Sequence, residues 1–282
     1  MRHLSTCCMA IALLLTACQS KEEKAKQIIA QAEQSYQSGQ YNQAKIEIDS
    51  MRRHYPKAFG AIREGLQLMR KIELKENQRT LHFADSILAI RRVQADSLFQ
   101  YFTFNKEAGI EEMGHYTPKR LTIERNVERN YIRAQVNEYG DLTLSSVYYG
   151  PREIKHTGLK MEIGDGSNAQ TLAVAYDGGR NYRFKDNGHF SEIVTYDAEA
   201  QNGLVDFIVH YNKERIKVRY TGGSSYIIYL DDVSKQAIRD ASALSFVLSE
   251  ITRLQQEQKI ASEKISFLET KIAKKENAIK ER

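Results

Sequence analysis

Hydrophobic positions recur with two kinds of period along this chain, and the change from one to the other divides it. Near the C-terminus Leu244, Ile251, Gln258, Ile265, Ile272 and Ile279 fall seven residues apart, and Val247, Leu254, Ala261, Leu268 and Lys275 follow three residues later. Such a seam, sustained over about five heptads, predicts a coiled-coil helix over residues 232–282, with Gln258 weakening it locally while fixing its register. At ~1.5 Å per residue that helix is roughly 70 Å long and needs a partner. Upstream, Leu81, Ala84, Leu88, Ala95, Leu98 and Phe102 recur at helical spacing, with Phe83, Ile87 and Ile90 widening the stripe, which predicts a long helix over residues 59–113. If the chain rises along this helix and returns along the C-terminal one, the two pair antiparallel as a stalk. The competing arrangement is a parallel homodimer through the C-terminal helix alone.

Between them the period drops to two. Ile132, Ala134 and Val136 share one face, as do Leu159, Met161 and Ile163, and Ile216, Val218 and Tyr220, with Lys160, Glu162, Lys217 and Arg219 opposite. Turn signals at Gly140-Asp141, Asp165-Gly166, Asp177-Gly178-Gly179, Asp186-Asn187-Gly188, Asn202-Gly203 and Gly222-Gly223 separate about nine strands. Twelve of the 16 Gly and twelve of the 16 Tyr lie in residues 114–229, and no Gly or Pro follows Gly223, which sets the same boundaries. The fold class expected is α+β. N-terminal helices precede a central antiparallel sandwich or barrel-like domain over residues 114–231, and the coiled-coil helix returns against the helix before it.

Charge removes one function class. Of the net +5, one unit is Arg2 and three lie on residues 259–282, so no broad basic surface for nucleic acid is indicated. Residues 1–17 carry that early positive charge and an apolar run from Met9 to Leu15, too short to span a bilayer, and read as a secretory leader. The run ends in Leu15-Thr16-Ala17-Cys18, which resembles the lipobox of bacterial outer-membrane lipoproteins. That resemblance implies cleavage before Cys18, lipidation of its thiol, and a tether over residues 18–24. Cys7 and Cys8 leave with the leader, so no disulfide and no thiolate metal site remain. The absence of Asp at residue 19 resembles lipoproteins sent on to the outer membrane. Lys21-Glu22-Glu23 resembles a surface-export tag of some Gram-negative lipoproteins and equally suits the first turn of a helix.

Ala32, Gly39, Tyr41, Ala44, Ile48, Met51 and Pro56 match the spacing of a tetratricopeptide repeat over residues 25–58. No second copy follows. Arrays of this kind need about three repeats to bury a continuous core, so a lone helical hairpin is expected rather than a peptide groove.

Candidate chemistry is sparse. Gly164-Asp165-Gly166-Ser167-Asn168-Ala169 imitates a dinucleotide-binding turn, but strand-like residues Leu172, Val174 and Tyr176 follow it where a helix is required, so it reads as a hairpin. No two of His54, His82, His115, His156, His189 and His210 lie three or four apart, as a helical metal pair requires. His189 and His210, on strands expected to be neighbours, with Asp186, Glu192 and Asp206 close in sequence, are the one composite site to consider. Asp231-Asp232 reads as a helix cap. No cofactor, metal or catalytic residue is indicated. The expectation is a non-enzymatic, lipid-anchored envelope protein whose stalk presents a β head to another envelope protein. A head that binds glycan or lipid through its tyrosines is the alternative, and a hydrolase with a composite site ranks below both.

Overall fold

A computed structural model describes residues 20–106 and 112–280, so Cys18, the leader and its cleavage site lie outside the described residues. The chain forms two compact units: residues 20–84 with 257–280, and residues 85–256.

The first unit is helical. Helix α1 (Lys21–Gln37) begins at a capping box in which Ser20 Oγ accepts from the Glu23 amide and Glu23 accepts from the Ser20 amide, satisfying two otherwise orphaned donors. Gly39, at φ +74°, turns the chain into α2 (Tyr41–His54). Ala25, Ile29 and Ala32 of α1 and Ala44, Ile48 and Met51 of α2 share a buried cluster with Ala58, Ala61, Leu68 and Ile72 of the segment that follows. The alanines let the helix backbones approach, while Ile48 and Met51 fill the space left by Gly65. A Cβ on Gly65 would lie 3.2 Å from each of them. Helix α3 (Phe59–Phe99) is itself capped from α1, because Glu22 Oε1 accepts the Ala61 amide at 2.8 Å. Lys45 and Glu76 join α2 to α3 through a half-buried ion pair.

Helix α6 (Asp232–Lys280) contributes its last part to this unit, with Ala261 and Leu268 buried and Ile272 and Lys275 beside Gln67, Arg70 and Lys71 of α3. In the second unit Arg91 of α3 lies 4.0 Å from Glu250 of α6 and over the Phe246 ring. Early α3 therefore meets late α6 and late α3 meets early α6, so the pairing is antiparallel as expected. The stripe is narrower than the periodicity suggested. Ala84, Leu88 and Ala95 are buried, but Phe83 and Ile90 stand 58% and 53% exposed, because a two-helix seam covers only the innermost positions. The helix also stops earlier than residue 113. Phe102 opens a strand, its flanking Tyr101, Thr103 and Phe104 being residues that favour a pleated surface over a helix.

Among the described residues the second unit holds ten strands in two antiparallel sheets. Strands β1 (Phe102–Asn105), β2 (His115–Pro118), β3 (Tyr131–Asn137), β4 (Leu142–Gly150), β7 (Asn181–Asp186) and β8 (His189–Tyr196) form the sheet ordered β1-β2-β3-β4-β8-β7. Strands β5 (Gly158–Glu162), β6 (Asn168–Gln170), β9 (Lys217–Thr221) and β10 (Tyr226–Tyr229) form the other, ordered β10-β9-β5-β6. Ile132, Ala134, Val136, Leu144 and Val194 of the first sheet and Leu159, Met161, Val218 and Tyr220 of the second share one buried core, which makes the pair a sandwich. Residues 164–169 form a hairpin, as the sequence suggested: Gly166 has φ +88°, and the Ser167 carbonyl accepts the Ile163 amide. The strand ends at Gln170, however. Leu172 and Tyr176 are exposed while Val174 is buried, and the segment is held by single bonds such as Val174 N–H to the Thr157 carbonyl and Leu172 N–H to the Ala200 carbonyl.

Two short helices interrupt the strands where none was expected. Helix α4 (Ala198–Gln201) is capped by Asp197, and α5 (Leu204–His210) buries Leu204, Phe207 and Ile208. Their i, i+3, i+4 spacing is helical, and Asn202-Gly203 makes the corner between two helices rather than a strand turn. Asp231 caps α6, accepting the Ser234 amide at 2.7 Å. The first part of α6 buries Ala237, Ile238, Ala241, Leu244 and Val247 in the sandwich core. The β3–β4 turn is fastened to α6 as well. The Gly140 carbonyl accepts from Ser245 Oγ at 2.5 Å and Ser249 Oγ at 3.3 Å, and the Tyr139 carbonyl accepts from Thr252 Oγ1. Gly140, at φ +96°, leaves no room for a Cβ against the Ser249 backbone.

Candidate functional site

Strand register builds a cleft on the face of the six-stranded sheet that looks away from the core. Side chains alternate across a sheet, so the odd-numbered residues of β3, β4 and β8 share this face. Tyr131, Val147 and Ile193 pair in a row that continues to Tyr182 on β7, and the next row runs from Tyr149 through Ser191 to Phe184. Beyond the first row stands Arg133, paired with Ser145, and beyond the second stands Asp186, at the β7–β8 turn. Residues 123–129, a single 3-10 turn and the chain leaving it, form the opposite wall and close a cleft of about 310 Å³.

That wall is held by its own polar bonds. Asn126 donates to the carbonyls of Arg120 and Thr122, Arg129 donates to Asn126 Oδ1, and Asn130 accepts the Tyr149 amide at 2.7 Å. Glu128 sits at φ +59°, a conformation disfavoured for a side chain with a Cβ, and its carboxylate reaches the Tyr149 hydroxyl. Desolvation, followed by that carboxylate, raises the Tyr149 pKa. At the other end burial raises the pKa of Tyr131, while the Arg133 guanidinium, bonded to it, opposes the rise. Arg133 Nε is buried and has no partner among the described residues. The cleft thus has an aromatic floor, Arg133 at one end, and Glu128 and Asp186 at the other, with Arg129 also in its lining.

A second cluster lies on the inner side of the same sheet. Ser146 Oγ is 2.8 Å from His156 Nε2, and His156 Nδ1 is 3.0 Å from Glu192 Oε2. Serine, histidine and acid follow in the order of a hydrolytic triad. Its surroundings assign it another role. Ser146, His156 and Glu192 are no more than 2% exposed, the Tyr196 hydroxyl lies 3.0 Å from Ser146 Oγ, and the Tyr220 ring packs edge-on against the imidazole. A substrate carbonyl has no approach to Ser146, so the geometry provides a nucleophile and base without access.

What the cluster does is hold backbone. Glu192 Oε1 accepts the amides of Ile154 at 2.6 Å and Lys155 at 2.9 Å, and Oε2 accepts the His156 amide at 3.0 Å. Lys155, at φ +54°, turns these successive N–H groups toward one point, and the carboxylate fills the resulting anion-binding concavity. Burial pushes the Glu192 carboxyl upward. Hydrogen bonds from the His156 side chain and the three amides outweigh it and bring the pKa down to about 2. The carboxylate is therefore ionised and accepts only, which places a proton on His156 Nδ1.

The histidines singled out by sequence do not meet. His189 stacks on Tyr149 with ring centroids 4.9 Å apart, beside the cleft, whereas His210 lies exposed at the end of α5 against Tyr211. The expectation of neighbouring strands fails because residues 204–210 are helical. Asp206 is on α5, and Glu192 projects from β8 on the opposite side to His189. Sequence reasoning missed His156 and Ser146 as partners of Glu192. Their separations of 36 and 46 positions leave no local motif, and the only cue was a Ser and a Glu at strand positions whose parity points inward, with His156 in the loop between strands. No group of three His, Cys, Asp or Glu side chains among the described residues is arranged to hold a metal, and no described helix is long and apolar enough to cross a membrane. Comparison with protein families, with curated proteins and with solved structures finds no match to this chain.

Proposed function

We propose that the chain is a lipid-anchored outer-membrane protein, attached through Cys18, whose β unit is a non-catalytic binding module. The observation that carries this reading is the aromatic cleft, where exposed Phe184 and half-buried Tyr149 and Tyr182 lie beside buried Tyr131 and Ile193. Aromatic surface left open in a walled concavity is the usual form of a ligand site. The walled-in triad supports the non-catalytic part, since Glu192 holds the backbone of residues 154–156 and Ser146 and His156 are buried.

Two measurements test the proposal. Metabolic labelling with an alkyne fatty acid should mark the wild-type protein in the outer-membrane fraction and leave Cys18→Ala unlabelled; equal labelling of both would remove the anchor. Thermal unfolding of residues 19–282 against panels of glycans, lipids and small organic acids should reveal a compound that raises Tm, with the shift lost in Phe184→Ala. A shift that survives this substitution, or none across all three classes, would remove the cleft as the binding module.

A further inference from the structure

The two ends of the cleft differ in charge, and that difference narrows the ligand. We propose that the cleft takes a small organic anion, an apolar ring system bearing one carboxylate or sulfonate, with the charged group on Arg133 and the rings over the two aromatic rows. The inference rests on the reading of the β unit as a binding module.

Three observations point there. Arg133 lines the cleft, and its guanidinium is already oriented by the Tyr131 hydroxyl. An oxyanion meets a guanidinium through charge-assisted bonds, about twice as strong as those between neutral groups. Secondly, the floor has a size. Rows two residues apart are separated by about 7 Å, and four strands from β3 to β7 span about 14 Å, room for two or three rings laid flat. Tyr131, Val147, Ile193 and Tyr182 form one row and Tyr149 with Phe184 flank the next, so the apolar surface is continuous. Thirdly, Glu128 and Asp186 close the far end. A second negative charge there would be repelled, so the site selects a monoanion and fixes which way round it lies.

The test uses residues 19–282, which keep every described residue, and two fluorescent probes with closely similar aromatic bodies. 1-Anilinonaphthalene-8-sulfonate carries the anion, and N-phenyl-1-naphthylamine lacks it. The sulfonate probe should bind with one-to-one stoichiometry and about tenfold or more tighter than the neutral one, the preference expected of one charge-assisted contact. Arg133→Gln should abolish that preference, Arg133→Lys should reduce it without abolishing it, and Phe184→Ala should weaken both probes. Far-ultraviolet circular dichroism verifies that each variant folds, and if Arg133→Gln does not, comparison of the two probes on the wild type and on Arg133→Lys still decides. Equal affinity for the two probes, or a preference that survives in Arg133→Gln while Phe184→Ala still weakens binding, overturns the anion assignment and leaves the binding module standing. Binding of neither probe, or binding indifferent to Phe184→Ala, overturns both.

Discussion

Replacing Glu192 by Gln removes one charge and exchanges one acceptor oxygen for a donor in the most heavily bonded polar site of the β unit. The amide oxygen can take the place of Oε1 and keep the bonds from Ile154 and Lys155. Its NH₂ then faces the His156 amide and His156 Nδ1, both donors to the wild-type carboxylate. A change of tautomer rescues the ring, with Nδ1 accepting and Nε2–H donating to Ser146. The His156 backbone N–H has no such escape. One buried donor left unpaired and charge assistance lost from two others together cost about 2–4 kcal/mol. For a unit of this size that corresponds to roughly 5–15 °C in Tm.

The pH dependence makes the test specific. The folded-state pKa of Glu192 lies below its ordinary value of 4.5, at about 2, so its stabilisation is complete above pH 4.5 and is lost as pH falls toward 2. The gap between wild type and Glu192→Gln should therefore be full at pH 6 and shrink steadily below pH 4.5. Urea unfolding followed by circular dichroism measures it, and amide hydrogen exchange at Ile154, Lys155 and His156 locates it. A gap under about 0.5 kcal/mol at pH 6, or one that stays constant down to pH 2, would refute both the ionised carboxylate and its role in holding the backbone.

Three further substitutions examine other joints. Gly140→Ala forces a Cβ onto a φ of +96° and against the Ser249 backbone, and should lower stability of the β unit by about 2 kcal/mol or more in the same urea assay. Glu22→Ala removes the side chain that accepts the Ala61 amide, and should cost about 1 kcal/mol, with faster amide exchange confined to the first turn of α3. Ile48→Ala opens a hole in the helical unit at a fully buried position, and should cost about 2–4 kcal/mol, read as raised exchange in α1 and α2.

Much of the fold is local, and those parts were legible. Ile132, Ala134 and Val136 face the core because a strand repeats every two residues, and Leu254, Ala261 and Leu268 are buried because a helical seam repeats every seven. Gly39, Asp231 and the hairpin at Asp165-Gly166 act through neighbours a few residues away. Where the reading failed, burial depended on distant chain. Phe83 and Ile90 belong to the stripe by spacing but not by coverage, since the helix that could cover them presents only one narrow face. Helix α5 was hidden by its seven-residue length, too short for a period to declare itself against the surrounding strands. The cleft was illegible for a stronger reason. Tyr131, Tyr149 and Phe184 meet only through the registers of β3 with β4, β4 with β8 and β8 with β7, and a shift of one residue in any of them would turn a row to the other face.

The contact between the β3–β4 turn and α6 has a consequence for how the long helix is seated. A heptad seam looks alike to its partner every seven residues, so apolar packing alone permits α6 to slip by one repeat at little loss. Ser245, Ser249 and Thr252 break that equivalence, because their hydroxyls meet the Gly140 and Tyr139 carbonyls in one seating only. Residues 252, 256 and 259, one repeat along, are Thr, Gln and Lys and offer no matching set of short hydroxyls. A glycine turn and three small polar side chains thus act as a detent within the β unit, arresting a helix that its greasy stripe would leave free to slide.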